Sequence, residues 1–340
     1  MHIAAYWSKL ANNQVQCHLC PHLCKVSNRN SGICGVRYND EGTLYSRVYG
    51  VLSSITSDPV EKKPLYHYFP GSQMVSIGSF GCTMKCDFCQ NCEISQGGDW
   101  DLEQMDVYEP DEIISRAIAG PNVSGIAFTY NEPVVFTEYV LDTARRAHEA
   151  GLVNAMITNG YITIPPLEEL LTSIDAFNID LKAFTENFYK KVTRSQLAPV
   201  LKTIKKVSEA GKHLEITHLV IPGRNDNIDE FENLVRWIRD TCGKQTVLHL
   251  SRYFPRYKSD SPPTPSETLL SFMEIARKEL HFVYAGNIAV DSGSDTFCPG
   301  CGNKLVERHL YHTRNSGITG DGFCKTCGYK IYGTFHKHRD

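Results

Sequence analysis

Cys82, Cys86 and Cys89 stand three and two residues apart in the run Gly81-Cys82-Thr83-Met84-Lys85-Cys86-Asp87-Phe88-Cys89. Three thiolates fill three corners of a 4Fe-4S cube and leave the fourth iron open. An open iron binds a substrate or cofactor through nitrogen and oxygen, which a fully ligated electron-transfer cluster cannot do. Cys92 follows three residues later, so a closed four-thiolate zinc site spanning Cys82 to Cys92 is the alternative reading.

The chain has 13 cysteines in 340 residues, and twelve of them fall into three groups of four. Cysteines grouped at ligand spacing in a reducing compartment point to metal rather than to disulfides. Cys298-Pro-Gly-Cys301-Gly and Cys324-Lys-Thr-Cys327-Gly are two Cys-x2-Cys-Gly knuckles, each turning two thiolates toward one tetrahedral ion. That ion is expected to be zinc, with rubredoxin-like iron as the second candidate. Cys17, Cys20, Cys24 and Cys34 have a less standard spacing that suits zinc or an auxiliary iron-sulfur cluster, zinc being preferred. Cys242, beside Gly243 after a helical stretch, reads as a small buried or capping-region residue.

The elements that must position these groups are legible between Met74 and Ile288. Short β-branched runs at Met74–Ser79, Gly125–Tyr130, Val153–Thr158, Ala176–Leu181, Leu214–Ile221, Thr246–Ser251 and Phe282–Tyr284 alternate with stretches of helical period. The helices are expected at Asp111–Ala119, Val134–Ala150, Pro165–Ser173, Gln196–Ala210, Ile228–Thr241 and Pro265–Leu280. Repeated β-α units make either a partial TIM-like barrel or an open doubly wound sheet, and both carry chemistry at the C-terminal ends of the strands. Polar residues gather there: Cys82, Asn131 and Glu132, Asn159, and Lys182. His249 and Ser251 fall on one face of the sixth strand by alternation.

This arrangement resembles the radical S-adenosylmethionine (SAM) superfamily, whose signature is Cys-x3-Cys-x-aromatic-Cys after a first strand. The resemblance implies an α/β fold with a partial (β/α)6 TIM-like barrel, and an open iron that chelates the amino and carboxylate groups of SAM. It further implies reductive cleavage of SAM to methionine and a 5'-deoxyadenosyl radical that removes hydrogen from a substrate. By the same analogy Phe88 packs near the adenine. Thr129-Tyr130-Asn131-Glu132-Pro133 takes the place of the family's glycine-glycine-glutamate segment, assigning Asn131 and Glu132 to the methionine moiety and Tyr130 to the cofactor site, with a helix cap as the plain alternative for Glu132. Thr158-Asn159-Gly160 and Asp180-Leu181-Lys182 resemble glycyl-radical-enzyme activases, in which this lysine lies by SAM. Ile157 stands where those activases carry a cation-binding Asp, so no cation site is expected. Val220-Ile221-Pro222-Gly223 is expected to offer backbone contacts to adenine.

Cys17-His-Leu-Cys-Pro-His-Leu-Cys24, Gly32-Ile-Cys34-Gly-Val-Arg37 and Asp58-Pro-Val-Glu61-Lys-Lys-Pro-Leu-Tyr-His67 narrow the resemblance to one activase-like branch, the radical SAM member of the AmmeMemoRadiSam system. It is also similar to pyruvate formate-lyase-activating enzymes. The branch implies Memo-like and AMMECR-like partner proteins and a ferredoxin or flavodoxin as reductant, and carries no substrate with it. Three units are expected: a cysteine-rich N-terminal module (1–73), a core (74–291) and a zinc-ribbon or rubredoxin-like C-terminal module (292–340).

Composition narrows the function classes. With 41% hydrophobic residues, 21% charged residues and a formal net charge of -3, the chain has no global attraction for nucleic acid or anionic lipid. Residues 301–340 are locally basic, with seven Lys and Arg against three Asp and Glu, plus His309, His312, His336 and His338. That tail supports a second reading, radical modification of tRNA. A third, from another class, is a zinc-rich scaffold without catalysis. No run approaches a membrane span and no leader is recognisable, so a cytoplasmic protein is expected.

Overall fold

The structure, a computed structural model, describes residues 1–288 and 293–335. His336 and His338 of the basic tail lie outside the described residues. Eight strands form the central sheet: β1 (Ser54–Pro59), β2 (Gln73–Gly78), β3 (Val123–Phe128), β4 (Val153–Thr158), β5 (Ala176–Asp180), β6 (His213–Val220), β7 (Val247–Arg252) and β8 (Phe282–Gly286). Their spatial order follows their chain order. β1 pairs antiparallel with β2, and every later pair is parallel.

This order separates the two architectures that period alone allows. A doubly wound sheet reverses its strand order at a switch point. Here each strand adds beside its predecessor, so the sheet curls as an incomplete barrel with β1 and β8 as its edges. The crossovers are α1 (Pro110–Ala119), α2 (Thr137–Glu149), α3 (Ile164–Ser173), α4 (Leu197–Glu209), α5 (Ile228–Cys242) and α6 (Ser266–Arg277). Their starts are locally encoded. Glu109 and Glu112 form a capping box around Pro110 in α1, and the Asn227 side chain accepts the Glu230 N–H at the start of α5.

The seven parallel strands fall where the apolar runs predict them. β1 is an addition to that set, because Ser54-Ile-Thr-Ser-Asp-Pro59 lacks an apolar face and lies in a loop-rich stretch. The connection from β1 to β2 fills the base of the barrel. Its Tyr66 and His67 N–H groups donate to the Glu215 carboxylate, which also binds His213 and His249, and its Pro64 carbonyl accepts from Asn178. Burial works against the Glu215 charge, yet the two histidines hold its pKa well below the usual range.

The flanking segments sit at opposite ends. Residues 1–46 fold as two small antiparallel sheets at the strands' C-terminal end, where His18 and Leu19 carbonyls accept from Thr163. A three-stranded ribbon of Thr296–Phe297, Lys304–His309 and His312–Asn315 docks at the base, with Thr334 exchanging backbone bonds with Phe69 and His67. Among the described residues no helix is long and apolar enough to cross a membrane.

Candidate active site

The loop after β2 carries Cys82, Cys86 and Cys89, and its path is fixed by backbone bonds rather than by helix. Gly81 N–H donates to Ile94, Lys85 N–H to Thr193, and Arg224 pairs with Asp87 at 2.6 Å. Gly78, the last residue of β2, has no room for a side chain: a Cβ there would lie 2.9 Å from the Tyr130 Cβ. Tyr130 itself has φ of 71°, a costly left-handed conformation that bends the β3 loop over the barrel mouth.

The three cysteines open onto one cavity of about 480 Å³. Phe88, Tyr130, Asn131, Glu132, Asn159, Asp180 and Lys182 share its wall. Burial pushes the Cys86 thiol up to about 12 against the pull of Lys182, and raises Cys82 as well. The Asn159 Nδ2 donates to the Cys82 Sγ at 3.5 Å, and the Met84 N–H does so at 3.4 Å. Lys182 pairs with Asp180 at 2.8 Å, 5.9 Å above the Phe88 ring. Burial opposes its charge, but Asp180 and Cys86 keep its pKa above the ordinary lysine value.

Glu132 has two engagements. It caps the 3₁₀ turn Pro133–Phe136 by accepting the Val134 N–H, and it also accepts from Thr158 at 2.6 Å and the Asn159 N–H at 2.8 Å. Burial pushes its pKa to about 7 against those bonds. The cap reading and the cavity reading therefore describe one side chain. Asn131 differs: its Oδ1 accepts the Ser79 N–H and its Nδ2 donates to the Gly81 carbonyl, so it holds the cysteine loop.

Two expected residues lie elsewhere. Ile221 is fully buried with its N–H on Asn225, and β6 gives the wall Thr217 and Leu219 instead. Of the β7 pair, Ser251 lines the cavity while His249 binds Glu215 at the base. Cys92 opens a short helix, Cys92–Ser95, and is absent from the cavity wall, which takes Gln90, Asn91, Ser95 and Gln96 from this stretch. Lys62 and Lys63 also line the cavity and share the Asp58 carboxylate at 2.8 and 2.7 Å. Both belong to the Asp58–His67 motif, but only the β1–β2 hairpin brings them to the cavity. The Tyr130 hydroxyl joins them through Asp58 and Thr56.

A model of the radical SAM superfamily matches residues 76–238. An uncharacterized protein of Methanocaldococcus jannaschii is 42% identical over 334 residues, covering 97% of this chain and 99% of its own. The chain belongs to the radical SAM superfamily. A pyruvate formate-lyase-activating enzyme of Clostridium pasteurianum is 23% identical over 168 residues, 47% of this chain and 68% of its own. A radical SAM methyltransferase from Sphaerobacter thermophilus, 17% identical with a TM-score of 0.51, covers 64% of this chain and 67% of its own, a likeness of fold. A radical SAM enzyme works with a 4Fe-4S cluster and SAM, and the residues here fit the pair. Three thiols face one cavity with a fixed cation and N–H donors to sulfur beside them. A mononuclear zinc at Cys82–Cys92 fits poorly, because Cys92 is off the wall. Among the described residues only Cys298, Cys301, Cys324 and Cys327 bring their ligand atoms within 4.8 Å of one another. Those four can hold a metal ion.

Proposed function

We propose that this enzyme holds its 4Fe-4S cluster on Cys82, Cys86 and Cys89, cleaves SAM reductively and directs the resulting radical to a hydrogen atom of a protein substrate, in the manner of an activase. The observation that carries the reading is the convergence of the three thiols, Asn159, Glu132, Asp180 and Lys182 on one cavity. When bound, the cluster and SAM supply one-electron cleavage of a carbon-sulfur bond. The chain's own residues position and insulate. Lys182 is a point charge for a carboxylate, and Asp180 fixes where that charge sits. Glu132 presents a carboxylate toward an ammonium, Phe88 an aromatic face toward adenine, and the surrounding wall limits the access of water to a reactive radical.

The activase reading, with a protein glycyl site as target, rests on the Clostridium relative, which is named for activating pyruvate formate-lyase. Under it the reductant is a ferredoxin or flavodoxin and the compartment is the cytoplasm, while the resemblance to the AmmeMemoRadiSam branch adds Memo-like and AMMECR-like proteins as proposed partners. Of residues 1–73 the part before β1 then acts as electron-side module, β1 and its connection to β2 join the catalytic core of 74–291, and 292–340 forms the metal-bound base. Anaerobic reconstitution followed by dithionite and SAM tests the chemistry. The protein should form 5'-deoxyadenosine, and Cys86→Ala should not; equal traces from both would end the proposal.

A further inference from the structure

Cys17, Cys20, Cys24 and Cys34 surround a small cavity whose wall also includes Arg37 and Thr83. We infer that this cavity holds an auxiliary 4Fe-4S cluster ligated by all four thiolates, which passes single electrons to the central site. The cluster assignment stands by itself, whereas the relay rests on the reading of the central site given above.

Two four-cysteine groups of one chain are spaced differently. A tetrahedral ion with metal-sulfur bonds of about 2.3 Å sets its thiolates about 3.8 Å apart. The C-terminal four meet that demand, with Cys298 to Cys327 at 3.5 Å and Cys301 to Cys324 at 3.8 Å. The N-terminal four share a cavity but do not gather within 4.8 Å of one another. Thiolates set apart around a common space suit a cube, in which each binds a different iron. This reverses the preference for zinc that spacing alone suggests.

Beside the thiols, Arg37 carries two donors without acceptors. Arg37 is 1% exposed, and its Nη2 serves the Ala5 carbonyl and Glu138. Its Nε and Nη1 are buried without a hydrogen-bond partner. Leaving two charged N–H groups unmet is costly, and Arg37 lines a cavity walled by thiols. Sulfur atoms of an anionic cluster accept such bonds, and bonds of this kind raise a cluster's potential.

Thr83 follows Cys82 and forms part of the N-terminal cavity, its carbonyl bound to His22 Nε2 at 2.7 Å and its hydroxyl to Asn159. A Cβ on Gly81 would lie 2.6 Å from the Cys34 carbonyl, so the two cysteine loops touch. On the other side Leu23 and Ile33 are 45% and 46% exposed. The site thus lies between the surface and the central cavity. A cluster with four thiolates has no open iron, so its chemistry is one-electron transfer. One electron from a reduced flavodoxin enters it and leaves to the central cluster, with no bond made or broken in the transfer.

The test uses the full chain, purified anaerobically and reconstituted, as the Cys82→Ala/Cys86→Ala/Cys89→Ala variant. It should keep about four sulfides per chain, with the Mössbauer signature of a cube. A zinc ion without sulfide overturns the cluster. Wild type answers the same question without mutation, at about eight sulfides against four, and that number is blind to whichever ion occupies the C-terminal knuckles. For the relay, Cys20→Ser should cut flavodoxin-driven 5'-deoxyadenosine formation about ten-fold and leave dithionite-driven formation within about two-fold of wild type. Unchanged flavodoxin-driven turnover overturns it. A wild type that forms no 5'-deoxyadenosine with either reductant would remove the central reading and the relay, and leave the sulfide result standing.

Discussion

At Lys182 a charge is held where desolvation opposes it, because Asp180 and Cys86 lie beside it. Such a charge is ready for an anionic group that enters without its water. Lys182→Met should weaken SAM binding about ten-fold or more, since it also leaves the half-buried Asp180 without its partner. Equilibrium titration of the oxidised holoenzyme with SAM checks this, and an unchanged affinity would remove Lys182 from the site. Two histidines outside the cavity make a second prediction. Burial lowers His67 to about 3 and His218 to about 4, from an ordinary 6.5. Between those values and 6.5 the unfolded chain binds the proton and the folded one does not. Stability is therefore full above pH 6.5 and falls as pH drops, by about 2 kcal/mol for each histidine at pH 5. Urea midpoints at pH 7.5 and 5 should show the loss, and His218→Gln should flatten part of the slope.

At the scale of elements, the strand-helix alternation is readable because each parallel strand is a short run dominated by apolar and β-branched residues and each crossover has an amphipathic period. The strand ends are readable for the same reason, and with them Cys82, Glu132, Asn159 and Lys182. What escapes a reading of the chain depends on pairing over long range. β1 has no apolar face to advertise it, and Lys62 and Lys63 reach the cavity only because β1 runs antiparallel to β2. Ile221 escapes differently, since alternation along β6 cannot say where the cavity wall stops. Arg37 appears in the sequence only as the end of the Gly32–Arg37 motif, and its buried place beside the thiols and Glu138 is set by how residues 1–46 dock on the barrel. Gly78 joins the two scales. A methyl group there would meet Tyr130 at 2.9 Å and the Thr129 carbonyl at 3.0 Å, so the β3 loop must shift. Gly78→Ala should cost about 1–3 kcal/mol and misplace Tyr130 and Asn131, lowering 5'-deoxyadenosine formation more than SAM affinity. Parallel thermal melts and single-turnover assays separate the two losses.

Across the whole molecule, the C-terminal four-thiolate site reaches the barrel through its base. Tyr332 accepts the Leu214 N–H at 2.8 Å and stacks on His213, and its carbonyl bonds to His67 at 2.6 Å. Arg308 donates to the Tyr66 carbonyl at 2.7 Å and lies 4.3 Å over the Tyr66 ring. Both residues therefore brace the segment that fills the barrel beneath Glu215. A metal ion bound by Cys298, Cys301, Cys324 and Cys327 would hold the two knuckles that carry this bracing, and in so small a ribbon metal binding is folding energy. Cys301→Ser should release the ion, free Tyr332 and Arg308, and leave Glu215 with partners that are no longer held in place. The core should then melt roughly 5 °C or more below wild type, although the substituted residue lies on the opposite end from the cysteine loop. At low temperature the variant should still cleave SAM, because no residue of the cavity wall has changed. Calorimetry on the wild type after chelation gives an independent measure: a core transition that stays in place while the ribbon loses its ion would mean that the base supports itself.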